Sequence, residues 1–237
     1  MTWSIVTREP GTGRFAVAVA SRFLAAGGVC PWARAGVGAV STQAQVNPLY
    51  GPAILDRLAR GETPAAAIAA ATAGDRGREW RQVHGLDASG RAAAHTGRNC
   101  VGWCGHIVQD DVSVAGNMLA GEAVLQATLE AYLGSRGNPL AKRLLAALAA
   151  GEAAGGDKRG KQSAALLIQG AEAYSELDLR VDDHSEPIME LHRVYEISKE
   201  ILQPFKAAMP TRERPSGIFL PDEREPFLAA RRAELMG

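Results

Sequence analysis

The pattern of apolar and polar positions divides the chain into short strands and paired helices. Residues 2–7 alternate, with Trp3, Ile5 and Thr7 on one side and Ser4 and Val6 on the other, the period of a strand. Pro10-Gly11-Thr12-Gly13 is a turn, and residues 15–20 form a near-continuous apolar run. Together they predict an antiparallel hairpin buried on both faces. A glycine-punctuated loop over residues 25–36 leads to a third strand at 36–43. Pro52 opens a helix that Gly61 closes, and Thr63-Pro64 caps a second, Ala-rich helix to about residue 72.

The pattern then repeats. Residues 79–86 and 91–95 read as strands around the turn Asp87-Ala88-Ser89-Gly90, followed by a loop at 96–105 and a strand at 112–115. Helices at 121–133 and 139–150 carry apolar residues three and four apart: Val124, Leu125, Leu129 and Tyr132, then Leu140, Leu144, Leu145 and Leu148. Strands at 164–169 and 173–181 and a helix at 188–202 complete the body. Strand runs alternate with helix pairs, not with single crossover helices. That order predicts an α+β fold, a four-layer αββα sandwich of two antiparallel sheets between helix layers. The division expected is one domain over residues 1–208 and a Pro-punctuated, charged extension over 209–237. In the extension Gly217-Ile218-Phe219-Leu220-Pro221 is the one apolar anchor. It reads as an arm for a homodimer or higher homo-oligomer.

Charge narrows the partners. Lys and Arg together number 26, as do Asp and Glu, so the formal net charge is zero. A nucleic-acid or polybasic membrane binder carries a cationic surplus, so neither is expected. No window approaches the roughly 18 consecutive apolar residues of a membrane span. Residue 1 onward shows no basic segment followed by an apolar core, and a cytoplasmic protein with reduced Cys30, Cys100 and Cys104 is expected. Cys100, Cys104 and His106 have ligand-like spacing, but thiols lining an apolar loop are the preferred reading, and no metal or cofactor is expected.

Three groups of residues are candidates for chemistry. Thr2 follows a Met that a small neighbour allows to be trimmed; a free α-amine with a pKa of about 8 would then serve as general base for the adjacent hydroxyl. Polar residues at strand ends form the second group. Asn117 and Asn47 are oxyanion donors or, alternatively, turn residues, and His95 is a general base or a hydrogen-bonded strand-end residue. The third group is polar and charged. Asp178, Arg180 and Asp182 alternate on one strand face. Gly155-Gly156-Asp157-Lys158-Arg159-Gly160-Lys161-Gln162 packs glycine and charge into one loop, where Asp157, Arg159 and Gln162 would position a polar substrate. Asp182-Asp183-His184 is a weaker metal candidate, with Asp183 alternatively capping the next helix. An internal nucleophile, Ser4 or Ser163, is a further alternative.

Several of these stretches resemble a bacterial and archaeal family catalogued as domain of unknown function ten twenty-eight. They are Thr2-Trp3-Ser4-Ile5-Val6, Val17-Ala18-Val19-Ala20-Ser21, Pro31-Trp32-Ala33-Arg34-Ala35-Gly36, Asn47-Pro48 with Tyr50-Gly51, Ala94-His95-Thr96-Gly97 and Gly116-Asn117-Met118-Leu119. Residues 155–166 and 178–184 match most strongly. The resemblance covers about residues 2–200. It implies an N-terminal-nucleophile (Ntn) hydrolase-like fold, the group of proteasome β-subunits and penicillin acylases. Proteasome-type relatives pair the N-terminal Thr with an Asp and a Lys; here the comparable positions read Ser21-Arg22 and Arg34-Ala35-Gly36. The expected function is an amidohydrolase acting on a small amide or peptide-like substrate; the alternative is a non-catalytic small-ligand-binding protein on the same fold.

Overall fold

A computed structural model describes residues 2–237. The chain runs β1 (Thr2–Glu9), β2 (Arg14–Ser21), β3 (Pro31–Arg34), β4 (Gly38–Ala44), α1 (Tyr50–Ala59), α2 (Pro64–Ala73), β5 (Arg81–Asp87) and β6 (Ala92–Thr96). It continues with β7 (Trp103–Gln109), β8 (Val112–Leu119), α3 (Ala123–Gly134), α4 (Leu140–Ala153), β9 (Ser163–Gln169), β10 (Leu177–Val181), α5 (Pro187–Glu200), α6 (Leu202–Ala208) and α7 (Pro221–Met236). The fold is α+β. Two antiparallel sheets have the orders β10-β9-β2-β1-β8-β7 and β3-β4-β5-β6.

The hairpin β1–β2 lies at the centre of the larger sheet, and its strands are buried on both faces as their apolar runs predict. On one face Val6, Phe15 and Val17 meet Ala39 and Leu86 of the smaller sheet. On the other, Thr7 Oγ1 lies 2.5 Å from the Tyr132 hydroxyl of α3. The smaller sheet packs Val40 and Val83 against Tyr50, Ile54 and Leu58 of α1 and Ile68 of α2. Thr63 caps α2 by accepting from the Ala66 N–H at 3.3 Å, with Pro64 in the first turn.

β3 lies where a loop was expected, and β7 begins inside the loop expected over 96–105. Both are sheet edges, and neither contains a fully buried residue. An edge strand has neighbours on one side only, so it needs little apolar patterning, and Pro31 as the first residue of β3 removes no ladder bond a central strand would need.

The chain forms two compact units, the first ending at Leu191 and the second running His192–Gly237. The division falls inside α5, ahead of residue 208. The proline-punctuated tail contains a helix, α7. Pro221 occupies its first turn, where the missing N–H costs nothing, and Pro226 forgoes one interior bond. Within this unit the Arg224 guanidinium lies 5.1 Å from the Phe205 ring centroid, and Arg232 Nε donates to the Glu200 carbonyl at 2.7 Å. No helix among the described residues is long and apolar enough to cross a membrane.

Trp3 shows how tightly α4 lies on the larger sheet. It is buried, and its indole Nε1 has no hydrogen-bond partner among the described residues. A Cβ built on Gly151 of α4 would fall 2.7 Å from that nitrogen and 2.3 Å from Thr128 Oγ1. Gly151→Ala should therefore destabilise the protein by about 1–3 kcal/mol through overpacking, despite the better helix propensity of Ala. Urea unfolding measures this; an unchanged or increased stability would show that α4 can shift off the sheet freely.

Candidate active site

Strand register lines up polar residues across one end of the larger sheet. Thr2 is opposite Ser21 on one side and Asn117 on the other. Ser21 is in turn opposite Ser163, and Asn117 opposite Cys104. Alternation puts all of these on the face toward the smaller sheet, as Ser4, two residues along from Thr2, shows by its bonds to Gln43 and His84. Thr2 Oγ1 lies 3.0 Å from Ser21 Oγ. The Thr2 carbonyl accepts from Asn117 Nδ2 at 3.3 Å and from Gln43 Nε2 at 3.4 Å.

Beneath this row runs a buried polar network between the sheets. The Gln82 Oε1 atom accepts from Asn117 Nδ2 at 3.0 Å and from Gln43 Nε2 at 2.8 Å. Gln82 Nε2 donates to Thr96 Oγ1 and to the Gly105 and Gly116 carbonyls at 2.9–3.0 Å. Ser4 Oγ donates to Gln43 Oε1 at 2.6 Å and lies 2.8 Å from His84 Nε2; His84 Nδ1 lies 2.9 Å from Ser113 Oγ. Because the Ser4 proton goes to Gln43, Nε2–H of His84 must donate to Ser4, and Nδ1 accepts from Ser113. His84 is thus a neutral, fully buried ring, its pKa pushed down to about 3 by burial, with the His106 charge a lesser cause.

This arrangement removes Ser4 as an internal nucleophile, since its proton points away from the imidazole beside it. Ser163 is likewise committed: its hydroxyl donates to the Phe23 carbonyl at 2.6 Å and accepts from Ala26 N–H at 3.3 Å. Gln82 and His84 escaped the sequence reading because an isolated polar residue inside an apolar strand carries no spacing signal. The available clue was the inward phase of both side chains in residues 81–87.

Several predicted site residues lie elsewhere. His95 does not reach Thr2. Thr96 beside it faces Gln82, so His95 points to the opposite face of β6, where its Nε2 donates to the Arg78 carbonyl at 3.0 Å. Asn47 is a turn residue: its Oδ1 accepts from the Leu49 N–H at 3.2 Å, and its Nδ2 donates to Asp75 at 3.3 Å. Asp75 gathers Arg81 and Tyr50, which hold its carboxyl well below the usual range. Asp178 and Arg180 share the exposed face of β10, and Arg180 Nη2 donates to Asp182, just past the end of the strand, at 3.0 Å. That strand is three steps from β1 in the sheet, roughly 14 Å away, so the trio belongs to an edge and not to the Thr2 row. Asn117 is adjacent to Thr2, and its amide nitrogen donates to the Thr2 carbonyl and to Gln82 Oε1.

The glycine-rich loop is built as a clamp. Asp157 Oδ2 accepts from the Arg22 N–H at 2.8 Å and Oδ1 from the Arg159 N–H at 2.8 Å, with the Arg159 guanidinium 3.4 Å away. The Ala120 N–H donates to the Gly156 carbonyl at 3.1 Å, and Leu119 and Asp157 form an isolated bridge. Gly155, Gly156 and Gly160 all have positive φ, which lets the chain reverse here. Asp157 therefore fastens the loop to the ends of β2 and β8, and Gln162 Nε2 donates to Asp183 at 3.1 Å. His184, not Asp183, meets the start of α5: its Nδ1 accepts from the Glu186 N–H at 2.9 Å. Under the loop is a pocket of about 90 Å³ lined by Trp3, Ser21, Gly156, Asp157 and Lys161 among others. Lys161 is held between Glu186 at 2.5 Å and Glu152 at 3.0 Å, and the Glu186 hydrogen bond leads in raising its pKa.

The three thiols do not form one cluster: Cys104 Sγ donates to the Cys100 carbonyl at 3.6 Å, and Cys30 lies apart. Cys30 packs with Val19, Ala26 and Ala165, and burial pushes it up to about 12. Burial likewise pushes Cys100 up to about 11. Among the described residues no group of three or more His, Cys, Asp or Glu is placed to hold a metal.

A family model described as a family of unknown function matches residues 2–191. The chain belongs to the DUF1028 family. The match begins at Thr2 and ends where the first compact unit ends. The chain is similar to a DUF1028 protein from Silicibacter pomeroyi known from a crystal structure, at 31% identity over 92% of this chain and 96% of that one, with a TM-score of 0.86. It is distantly similar to Anbu, the ancestral β-subunit, from Yersinia bercovieri: 13% identity, 88% and 98% coverage, TM-score 0.41. No curated protein matches.

The buried His84 makes stability depend on pH. Its ring titrates near 6.5 when unfolded and near 3 when folded. Between those values the unfolded chain binds the extra proton, so stability is complete above about 6.5 and falls as the pH drops, by up to about 1.4 kcal/mol per unit. His106, lowered by burial and then by His95, acts in the same direction. Urea unfolding from about pH 7.5 to 4.5 should show this slope, and His84→Gln should lose most of it. An equal slope in the variant would contradict a neutral buried His84.

Proposed function

We propose that the DUF1028 unit is an amidohydrolase of the Ntn type on a four-layer αββα sandwich, with Thr2 as nucleophile. The observation that carries this is the position of the Thr2 hydroxyl, 3.0 Å from Ser21 Oγ in a polar row at one end of the central strands. Its support is the family match beginning at that residue. Once the preceding residue is removed, the Thr2 amine takes the hydroxyl proton as Oγ1 attacks a substrate amide carbon. The amine passes that proton to the departing nitrogen, the C–N bond breaks, and water hydrolyses the resulting ester to regenerate Thr2. Asn117 and Gln43, both bonded to the Thr2 carbonyl, hold the residue in place.

A second reading, a small-ligand-binding protein on the same fold, draws on one observation. Thr2 is only 6% exposed, and the neighbouring pocket is about 90 Å³, small for a substrate of drug-like size.

The deciding experiment begins with the intact mass of untagged protein, to establish that Thr2 is the first residue. A panel of small amides and short peptides then identifies a substrate. Thr2→Val, which keeps the shape and removes the hydroxyl, should lower kcat/KM by roughly 10³-fold or more, while Thr2→Ser retains measurable turnover. Full turnover by Thr2→Val, or activity in protein that keeps Met1 in every molecule, excludes the mechanism and leaves the binding reading.

A further inference from the structure

Exposed apolar side chains concentrate in the second unit. Ile197, Ile201, Phe205, Phe219, Leu220 and Met236 are all more than two-fifths exposed, and all fall within His192–Gly237. Helix α7 has no buried residue. Along one of its faces Phe227, Ala230, Arg231 and Glu234 line, with Ala207, a groove of about 310 Å³. Those positions recur at three and four, so they form a single stripe. A patch of this kind, apolar at its floor and charged at its rim, is the usual form of a protein docking surface.

The charge order of the stripe identifies the occupant. Extended toward the start of the helix, the same face carries Leu220, Glu223 and Arg224. Glu223 and Arg231 lie four positions either side of Phe227; Leu220 and Glu234 lie seven either side. We propose that α7 pairs antiparallel with the α7 of a second copy of this chain, about a two-fold axis through Phe227. Glu223 of each copy then meets Arg231 of the other, and Phe227 packs on its mate. Leu220, 44% exposed, then lies opposite Glu234 at the end of the other copy's groove, and Arg224 opposite Ala230. The contact is isologous: one surface complements itself. Arg231 also pairs with Glu234 of its own helix at 2.5 Å, which holds its guanidinium at the groove rim.

The pairing makes a demanding prediction. Sedimentation equilibrium of the full chain should show a species of about 50 kDa, twice the 25.0 kDa chain. Glu223→Arg and Arg231→Glu each place like charges at both symmetric contacts, and each should weaken the dimer by roughly ten-fold or more. Mixing the two variants should restore it, because each of the two contacts in the mixed dimer again joins one guanidinium to one carboxylate. Phe227→Asp should dissociate the dimer without rescue by either partner. Far-UV circular dichroism checks that each variant keeps its helices. A chain that stays monomeric to about 100 µM, variants that dimerise like the parent, or a mixture that stays monomeric would each overturn the proposal.

Discussion

Three buried amides and one imidazole hold the two sheets in a single relation. Gln43 on the smaller sheet bonds Ser4, the Thr2 carbonyl and the Ala115 carbonyl on the larger one; Gln82 bonds Asn117 and the Gly105 and Gly116 carbonyls. Each is fully buried, and a buried amide left without partners costs far more than its bonds return in net stability. A sandwich of Val and Ala alone tolerates sliding by a fraction of a residue. This one does not, because sliding would strand several donors at once. The same bonds set the backbone of Thr2, so the core polar network and the head of the proposed site are one construction.

The α+β order with two antiparallel sheets was readable in the sequence because the central strands and the paired helices are patterned strongly. The hairpin of residues 2–20 and the three-and-four spacing of α3 and α4 could be interpreted in one way. What escaped was built from weaker signals. β3 and β7 are edges whose side chains are half-covered, so their patterns resemble loops. α7 was hidden by its prolines, although a proline in the first turn is compatible with a helix. The site was less legible than the fold. Thr2 and Asn117 were placed together by register, which the sequence does not display, while Asn47, His95 and the Asp178–Arg180–Asp182 face were separated from them by it. The charged candidates Asp157, Arg180 and Asp182 are engaged in ion pairs or backbone hydrogen bonds, while the uncharged Gln82 that bonds Asn117 carries no spacing signal in the sequence.

The glycine-rich loop is a case of this. Its density of glycine and charge suggested a ligand; Asp157 bonds the backbone of Arg22 and of its own Arg159, Lys161 pairs with Glu152 and Glu186, and Gln162 bonds Asp183. A carboxylate whose side chain is 2% exposed and whose oxygens both accept backbone N–H bonds has its partners within the fold. What it does is fix the strand ends around Thr2, acting on the site through the backbone. Loops with unusual composition can be distinctive for a family because their geometry is hard to build, without any of their side chains touching a substrate.

The neutrality of the row has a chemical consequence under the proposed mechanism. The side chains hydrogen-bonded to Thr2 among the described residues are those of Ser21, Asn117 and Gln43, none of them charged. None of the three is a carboxylate that would raise the pKa of the Thr2 amine, and none is a cation that would lower that of its hydroxyl. Under that mechanism the proton transfer runs within Thr2 itself, between its own amine and Oγ1, and the uncharged neighbours hold the residue in place without carrying the proton.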